Sequence, residues 1–246
     1  MKDFLLQVTS QQELVPGVFS LTLKGFTQEY EPGQFVQVEV AENYEPFLRR
    51  PISICDVEDN NLQLVYRLKG RGTKLLAKKK PGDKVRVLGP IGYGFPLKSQ
   101  RATLIGGGIG VPPLLGLAKK MHGQGMEVTA LLGFKNKEEA ILLSEFAKYA
   151  DLQVATLDGS SGRRGLVTEL ITNKDDLVYA CGPEGLFRTL ETLGVKGYYS
   201  LEKRMACGVG VCLGCNITVI KDEKELRQRV CHDGPVFPIG SVKWGD

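Results

Sequence analysis

The texture of the chain changes near Ser99, and this change constrains the fold more than any other feature. Before it, "GVFSLTLKG", "GQFVQVEV", "RPISICD", "NLQLVYRLKG" and "DKVRVLGPIGYGFPL" read as strands. They are rich in β-branched and aromatic residues, several alternate apolar with polar, and Glu31-Pro32-Gly33 and Asp59-Asn60-Asn61 mark turns between them. "GTKLLAKKKPG" is the one helix-like insertion, stopped by Pro81 and Gly82. Short strands at regular spacing predict a closed antiparallel barrel over residues 1–98. After Ser99, strands alternate with helices. "ATLIGGGIG", "MEVTALLGF", "LQVATLDG", "DLVYACGP" and "KGYYSLE" are the strands; "VPPLLGLAKKMHGQG", "SEFAKYA", "GLVTELI" and "EGLFRTLETLG" are the helices. This alternation predicts a parallel sheet covered by helices over residues 99–202.

The last segment, residues 203–246, has a third character. "RMACGVGVCLGC" places three cysteines within nine residues, separated by glycines. The full spacing is Cys207-x4-Cys212-x2-Cys215-x15-Cys231. Zinc ribbons pair two close cysteines with two more, so three plus one fits zinc poorly. The spacing matches the plant-type pattern for a 2Fe–2S cluster. A loop that wraps a cluster approaches it closely, and Gly208, Gly210 and Gly214 permit that approach. Cys55 falls outside the pattern and reads as a buried strand thiol.

Two loops have the form of nucleotide sites. Gly106, Gly107, Gly108 and Gly110 lie between a strand and a helix, where phosphates reach backbone N–H groups. Cys181, Gly182 and Pro183 end a second strand of the same sheet, where open α/β sheets bind ligands. Neither matches the usual dinucleotide fingerprint; a ligand-free turn is the alternative at the first, and Cys181 taken alone could equally be a buried thiol. In the barrel half, "RRPISI" places Arg49 and Arg50 before Pro51, Ile52 and Ser53, and "RLKGRGT" supplies Arg67, Leu68, Lys69, Gly72 and Thr73 at a helix start. Two basic clusters beside a glycine suit a pyrophosphate.

Length and composition agree with this plan. The 246 residues suffice for two domains and an appendage; 42% hydrophobic and 24% charged residues are ordinary for a globular protein. A net charge of +4 is too small to argue for nucleic acid, and the Lys78–Lys80 run reads as a solvated helix end. No stretch approaches the ~20 apolar residues of a membrane span. "MKDFLLQVTS" shows no leader-like apolar run, so a cytoplasmic setting with reduced thiols is expected. His122 and His232 read as surface or packing residues.

Taken in order, these motifs resemble the ferredoxin reductase-like flavoprotein family. Arg50-Pro51-Ile52-Ser53 is similar to the family's Arg-x-Tyr-Ser/Thr flavin motif, with Ile52 at the tyrosine position, and Gly72-Thr73 is similar to its second flavin motif at the FAD pyrophosphate. The Gly106–Gly110 loop resembles the family's nicotinamide-nucleotide loop, and Cys181-Gly182-Pro183 its nicotinamide-side motif. The resemblance implies FAD and NAD as cofactors, with Ser53, Cys181 and Glu202 near the flavin N5 and the nicotinamide. The short cysteine appendage narrows it to the electron-transfer subunits of two-subunit, NAD-linked dihydroorotate dehydrogenases of pyrimidine synthesis. These imply an FMN-containing catalytic partner, two copies of each chain, and a relay from FMN through 2Fe–2S and FAD to NAD. Reductase subunits serving a hydrogenase or a glutamate synthase are the alternative. Lys135 and Lys137 favour a 2′-phosphate and Glu138 and Glu139 oppose it, so NAD over NADP rests on the resemblance.

Overall fold

Alternation closes the barrel. The computed structural model of the chain describes residues 1–41 and 45–245. Its first part forms a closed barrel in the order β1 (Lys2–Val15), β2 (Val18–Lys24), β5 (Asn61–Arg67), β4 (Arg50–Glu58), β3 (Phe35–Val38) and β6 (Lys84–Ile91). Neighbouring strands run antiparallel all round. The sequence reading identifies five of these strands and misses β1. That strand points Phe4, Leu6 and Val8 inward and is polar through Gln11 and Gln12, so its periodicity is short. Asp59 and Asn60 both take positive φ, the two-residue turn that matches strand twist between β4 and β5. Helix α1 (Arg71–Leu76) follows β5 and inserts Leu76 into the barrel core.

The second part is a seven-stranded sheet. It comprises β7 (Arg101–Gly107), β8 (Glu127–Phe134), β9 (Asp151–Thr156), β10 (Arg163–Arg164), β11 (Leu177–Cys181), β12 (Gly197–Ser200) and a strand from the C-terminal segment. Helices α2 (Pro113–Gly123), α3 (Leu143–Phe146) and α4 (Glu184–Thr192) connect its parallel strands. The expected helix "GLVTELI" is instead one 3₁₀ turn, Val167–Leu170. It follows Gly165, whose φ is +131°, and is too short to sustain α geometry.

Strand order makes a crevice. From β7 the chain builds outward through β8 and β9 on one side, then returns to place β11 and β12 on the other. The carboxyl ends of β7 and β11 therefore flank a topological switch point, the usual ligand position in such sheets.

The C-terminal segment adds β13 (Asn216–Lys221), β14 (Lys224–Arg229), α5 (Val230–Asp233), β15 (Val236–Pro238) and β16 (Val242–Lys243). β14, β13 and β16 form a small sheet, whereas β15 lies antiparallel beside β12 and completes the large one. Cys215, Ile217, Cys231 and Phe237 share one buried cluster with Val178, Phe187 and Tyr199 of the α/β part. The barrel is joined to that part by α2: Gly116 lies against Tyr30 Oη and the Cys55 carbonyl, while Lys119 Nζ reaches Asp56 Oδ2 and Glu58 Oε1, each at 3.0 Å.

Candidate flavin, nucleotide and iron–sulfur sites

A cleft of about 600 Å³ opens where the three parts meet. The barrel lines it with Arg50, Pro51, Ile52, Ser53, Arg67, Lys69, Gly72 and Thr73. The α/β side contributes Ile109 and Pro113, and the segment after β12 contributes Glu202 and Met205. Ser53 and Glu202, far apart in sequence, thus line one cavity. Leu68 does not line it and packs on the barrel core.

The two basic motifs divide their labour. Arg49 pairs with Asp3 at 2.9 Å and Glu39 at 3.3 Å, away from the cleft, which leaves Arg50 to face it. The Arg50 guanidinium lies over Gly72, and its Nη1 donates to the Leu48 carbonyl. Thr73 Oγ1 accepts from the backbone N–H of Lys69 at 2.9 Å and of Gly70 at 3.3 Å, fixing the turn that enters α1. Arg67 reaches Glu139 at 2.9 Å across the joint, so Glu139 is engaged by the barrel rather than left free beside Glu138. Ile52 packs into the barrel core, and Phe35, paired with Ser53 across β3 and β4, supplies an aromatic ring at the cleft. Sequence reasoning misses Phe35, Met205 and Pro235 as cleft residues, because nothing in their local pattern separates them from core.

At the switch point the two loops touch. A Cβ on Gly110 would lie 2.6 Å from Cys181 C and O and from Gly182 N. A Cβ on Gly107 would lie 3.0 Å from Pro183 Cδ, and one on Gly106 would lie 2.8 Å from Val111 Cγ2. Gly108 has φ +54° and open space before it. Together these glycines keep the crevice wall bare backbone. Cys181 is 3% exposed and packs among Val111, Tyr179 and Val236 rather than lining the cleft. Burial, with the Glu202 charge nearby, pushes its thiol well above the usual range, so it is neutral at physiological pH.

The four cysteines fall into two pairs. Cys215 Sγ lies 3.2 Å from Cys231 Sγ, both buried. Cys207 and Cys212 form the outer pair: the Cys212 N–H is 3.4 Å from Cys207 Sγ. Backbone N–H groups aim at the sulfurs: Val209 at Cys207 (3.4 Å), Gly210 at Cys231 (3.2 Å), Gly214 at Cys212 (3.4 Å) and Cys231 at Cys215 (3.4 Å). Burial opposes ionisation of Cys207, yet the backbone donors of Cys212 and Val209 hold its thiol down to about 6. Burial and the neighbouring Cys215 push Cys231 up to about 12. Among the described residues no three His, Cys, Asp or Glu side chains converge as ligands of one ion. Two thiol pairs ringed by N–H donors suit a binuclear iron cluster, in which each iron takes two thiolates. Arg229 braces the loop, donating to the Gly210 carbonyl at 2.9 Å and to Asp233 at 3.0 and 3.2 Å.

Comparison with known proteins supplies the family. The model for the iron–sulfur cluster binding domain of dihydroorotate dehydrogenase B matches residues 202–243. Over an alignment of 249 positions, gaps included, covering 96% of each chain, the protein is 45% identical to the electron transfer subunit of dihydroorotate dehydrogenase B (NAD(+)) from Bacillus cereus. The chain belongs to this electron transfer subunit family. The Bacillus anthracis member is equally similar, at 45% identity with 96% of each chain covered. Among solved structures, the NADH-dependent reduced ferredoxin-NADP oxidoreductase, studied for flavin-based electron bifurcation, superposes with a TM-score of 0.86. It is 29% identical, with 98% of this chain and 90% of that one covered. A ferredoxin reductase of carbazole 1,9a-dioxygenase shares the fold alone, at TM-score 0.68 and 20% identity over 79% of this chain and 66% of that one. The iron–sulfur domain match spans Glu202 and all four clustered cysteines, so the cleft's third wall and the cysteine loop fall within one matched segment. No helix among the described residues is long and apolar enough to cross a membrane.

Proposed function

We propose that this chain is the NAD-reducing electron transfer subunit of a dihydroorotate dehydrogenase in pyrimidine (UMP) synthesis, assembled with an FMN-containing catalytic chain as a heterotetramer. One observation carries the reading. A single cleft is lined by the barrel motif, by Ile109 of the glycine loop, and by Met205, two residues before the first cluster cysteine. The place where a flavin would lie is therefore shared by the nucleotide side and the cluster side. FAD held there would supply hydride exchange with NAD and single-electron exchange with the 2Fe–2S cluster, and the cluster would link it to the partner's FMN.

The chain's own residues bind and orient. Arg50 and Lys69 supply cationic donors to the flavin pyrophosphate, and Gly72 leaves room for the Arg50 guanidinium. Phe35, Ser53 and Glu202 border the reacting face, while Gly106–Gly110 and Cys181-Gly182-Pro183 hold the dinucleotide at the switch point. Buried Cys181 acts by shaping that loop rather than as a nucleophile. Cys207, Cys212, Cys215 and Cys231 hold the irons. The cysteines are free thiols, which fits a reducing compartment and supports a cytoplasmic setting. Identity of 45% with dihydroorotate dehydrogenase subunits favours that partner over the hydrogenase-like and glutamate synthase-like alternatives.

The test separates the two chains. Loaded with FAD and iron–sulfur, this chain alone should oxidise NADH with an artificial acceptor and leave dihydroorotate untouched. Adding the FMN-bearing partner should create dihydroorotate-dependent NAD reduction. Turnover of dihydroorotate by the single chain, or no coupled activity in the assembled complex, would overturn the reading.

A further inference from the structure

Gln37 is out of place on β3. It is 1% exposed, and among the described residues neither its Nε2 nor its Oε1 has a hydrogen-bond partner. Buried amides nearly always pair, so a fully orphaned one points to a partner from outside the chain. The residues paired with it across the sheet offer no side-chain acceptor. Val36 and Val38 point into the barrel core, and Gln37 stands opposite Pro51 on β4 and Leu88 on β6.

The side chain instead leaves the outer face of the barrel and meets the cysteine loop. It fills the space where Gly208 would carry a Cβ, which would fall against Nε2 and lie 2.7 Å from both Cδ and Cγ. Gly208 has φ +70° and directly follows Cys207. Phe35, two residues earlier on the same face of β3, lines the flavin cleft. Residues i and i+2 on one strand face are about 7 Å apart. One short strand face thus carries a ring at the flavin cleft and an unpaired amide at the first cluster ligand.

We propose that Gln37 is a positioning residue for the iron–sulfur cluster, its Nε2–H donating a hydrogen bond to a sulfur on the Cys207 side. The proposal rests on the reading that the four cysteines hold a 2Fe–2S cluster. An N–H aimed at a cluster sulfur stabilises the added negative charge of the reduced form and raises the potential. Gly208 is required because any side chain there would displace the amide.

The experiment uses the full chain carrying FAD and cluster. With ¹⁵N in the glutamine side-chain amides, the reduced cluster should show a ¹⁵N hyperfine coupling in pulsed electron paramagnetic resonance. Gln37→Leu, which keeps the bulk and removes the amide, should abolish that coupling. The variant should also move the cluster midpoint potential downward and leave the FAD couple unchanged. If Gln37→Leu fails to retain its cluster, the coupling in the unsubstituted chain decides alone. A reduced-cluster signal without ¹⁵N coupling, or a Leu variant with the parent's potential, overturns the role of Gln37. An unsubstituted chain with no iron and no such signal overturns instead the cluster assignment beneath it.

Discussion

The guanidinium of Arg50, on β4, occupies the space that a Cβ on Gly72, in α1, would need: Cζ would stand 2.8 Å from it and Nη2 2.9 Å. The two residues belong to motifs more than twenty positions apart, yet each sets the other's geometry. Arg50 reaches the cleft only because Gly72 has no side chain.

The first prediction follows from this pair. Arg50→Ala should weaken FAD binding by about 2 kcal/mol, the range for hydrogen bonds to charged groups. Gly72→Ala should weaken it comparably by pushing the guanidinium aside. The double variant should lose less than the sum, because both substitutions remove one interaction. Flavin titration of the apoprotein measures all three; strict additivity would separate the two residues.

Cys212→Ser should lose the cluster. It breaks the Cys207–Cys212 pair, and all four thiolates are needed to hold two irons. The barrel stands on its own core, so FAD content should persist. Metal analysis and visible spectra of one sample decide; unchanged iron would exclude Cys212 as a ligand.

Gly110→Ala should impair the nucleotide site without touching the flavin. The new Cβ would meet backbone atoms of Cys181 and Gly182 at 2.6 Å, and backbone cannot rotate away as a side chain can. Overpacking of this kind costs roughly 1–3 kcal/mol. The KM for NADH in dye reduction should rise about tenfold, since roughly 1.4 kcal/mol is a factor of ten, with FAD content constant. An unaltered KM would count against the loop as the dinucleotide site.

Arg229→Ala should make the cluster labile. The guanidinium ties the Gly210 carbonyl to Asp233, and so the loop of Cys207 to the helix of Cys231. Loss of charge-assisted bonds worth roughly 1.5–3 kcal/mol should speed chelator-driven iron release about tenfold or more. Identical release rates would mean that the cysteines alone fix the loop.

Much of this was legible in the sequence where local chemistry agreed with the fold. Asp59-Asn60 announces its hairpin because asparagine and aspartate tolerate positive φ. The hairpin between β13 and β14 is hidden, although its turn has the same geometry, because Asp222 and Glu223 carry no such signal together. The glycine loops and the cysteine spacing are readable because a bare backbone and a thiolate set each demand particular residues. Phe35 and Gln37 are not, since a strand reads "FVQV" whatever stands outside the barrel. A glutamine between two valines in a short apolar strand is the only hint. Burial of Cys181 likewise depends on Gly110 packing behind it, which no spacing reveals.

The return of β15 to the edge of β12 has a mechanical consequence. The cysteine segment leaves the sheet after Ser200 and rejoins it at Val236, so it is clamped at both ends, not tethered by one. The Leu201 N–H donates to the Pro235 carbonyl at 2.9 Å, pinching the neck of this excursion shut. Closing a loop at its base removes the swinging freedom that a linker would leave. Electron tunnelling weakens exponentially with separation, so a donor on a flexible arm would spend most of its time too far away. Here the gap between the cysteines and the cleft is set by strand pairing. The transfer distance is inherited from the fold, and its rate is freed from any docking step within the chain.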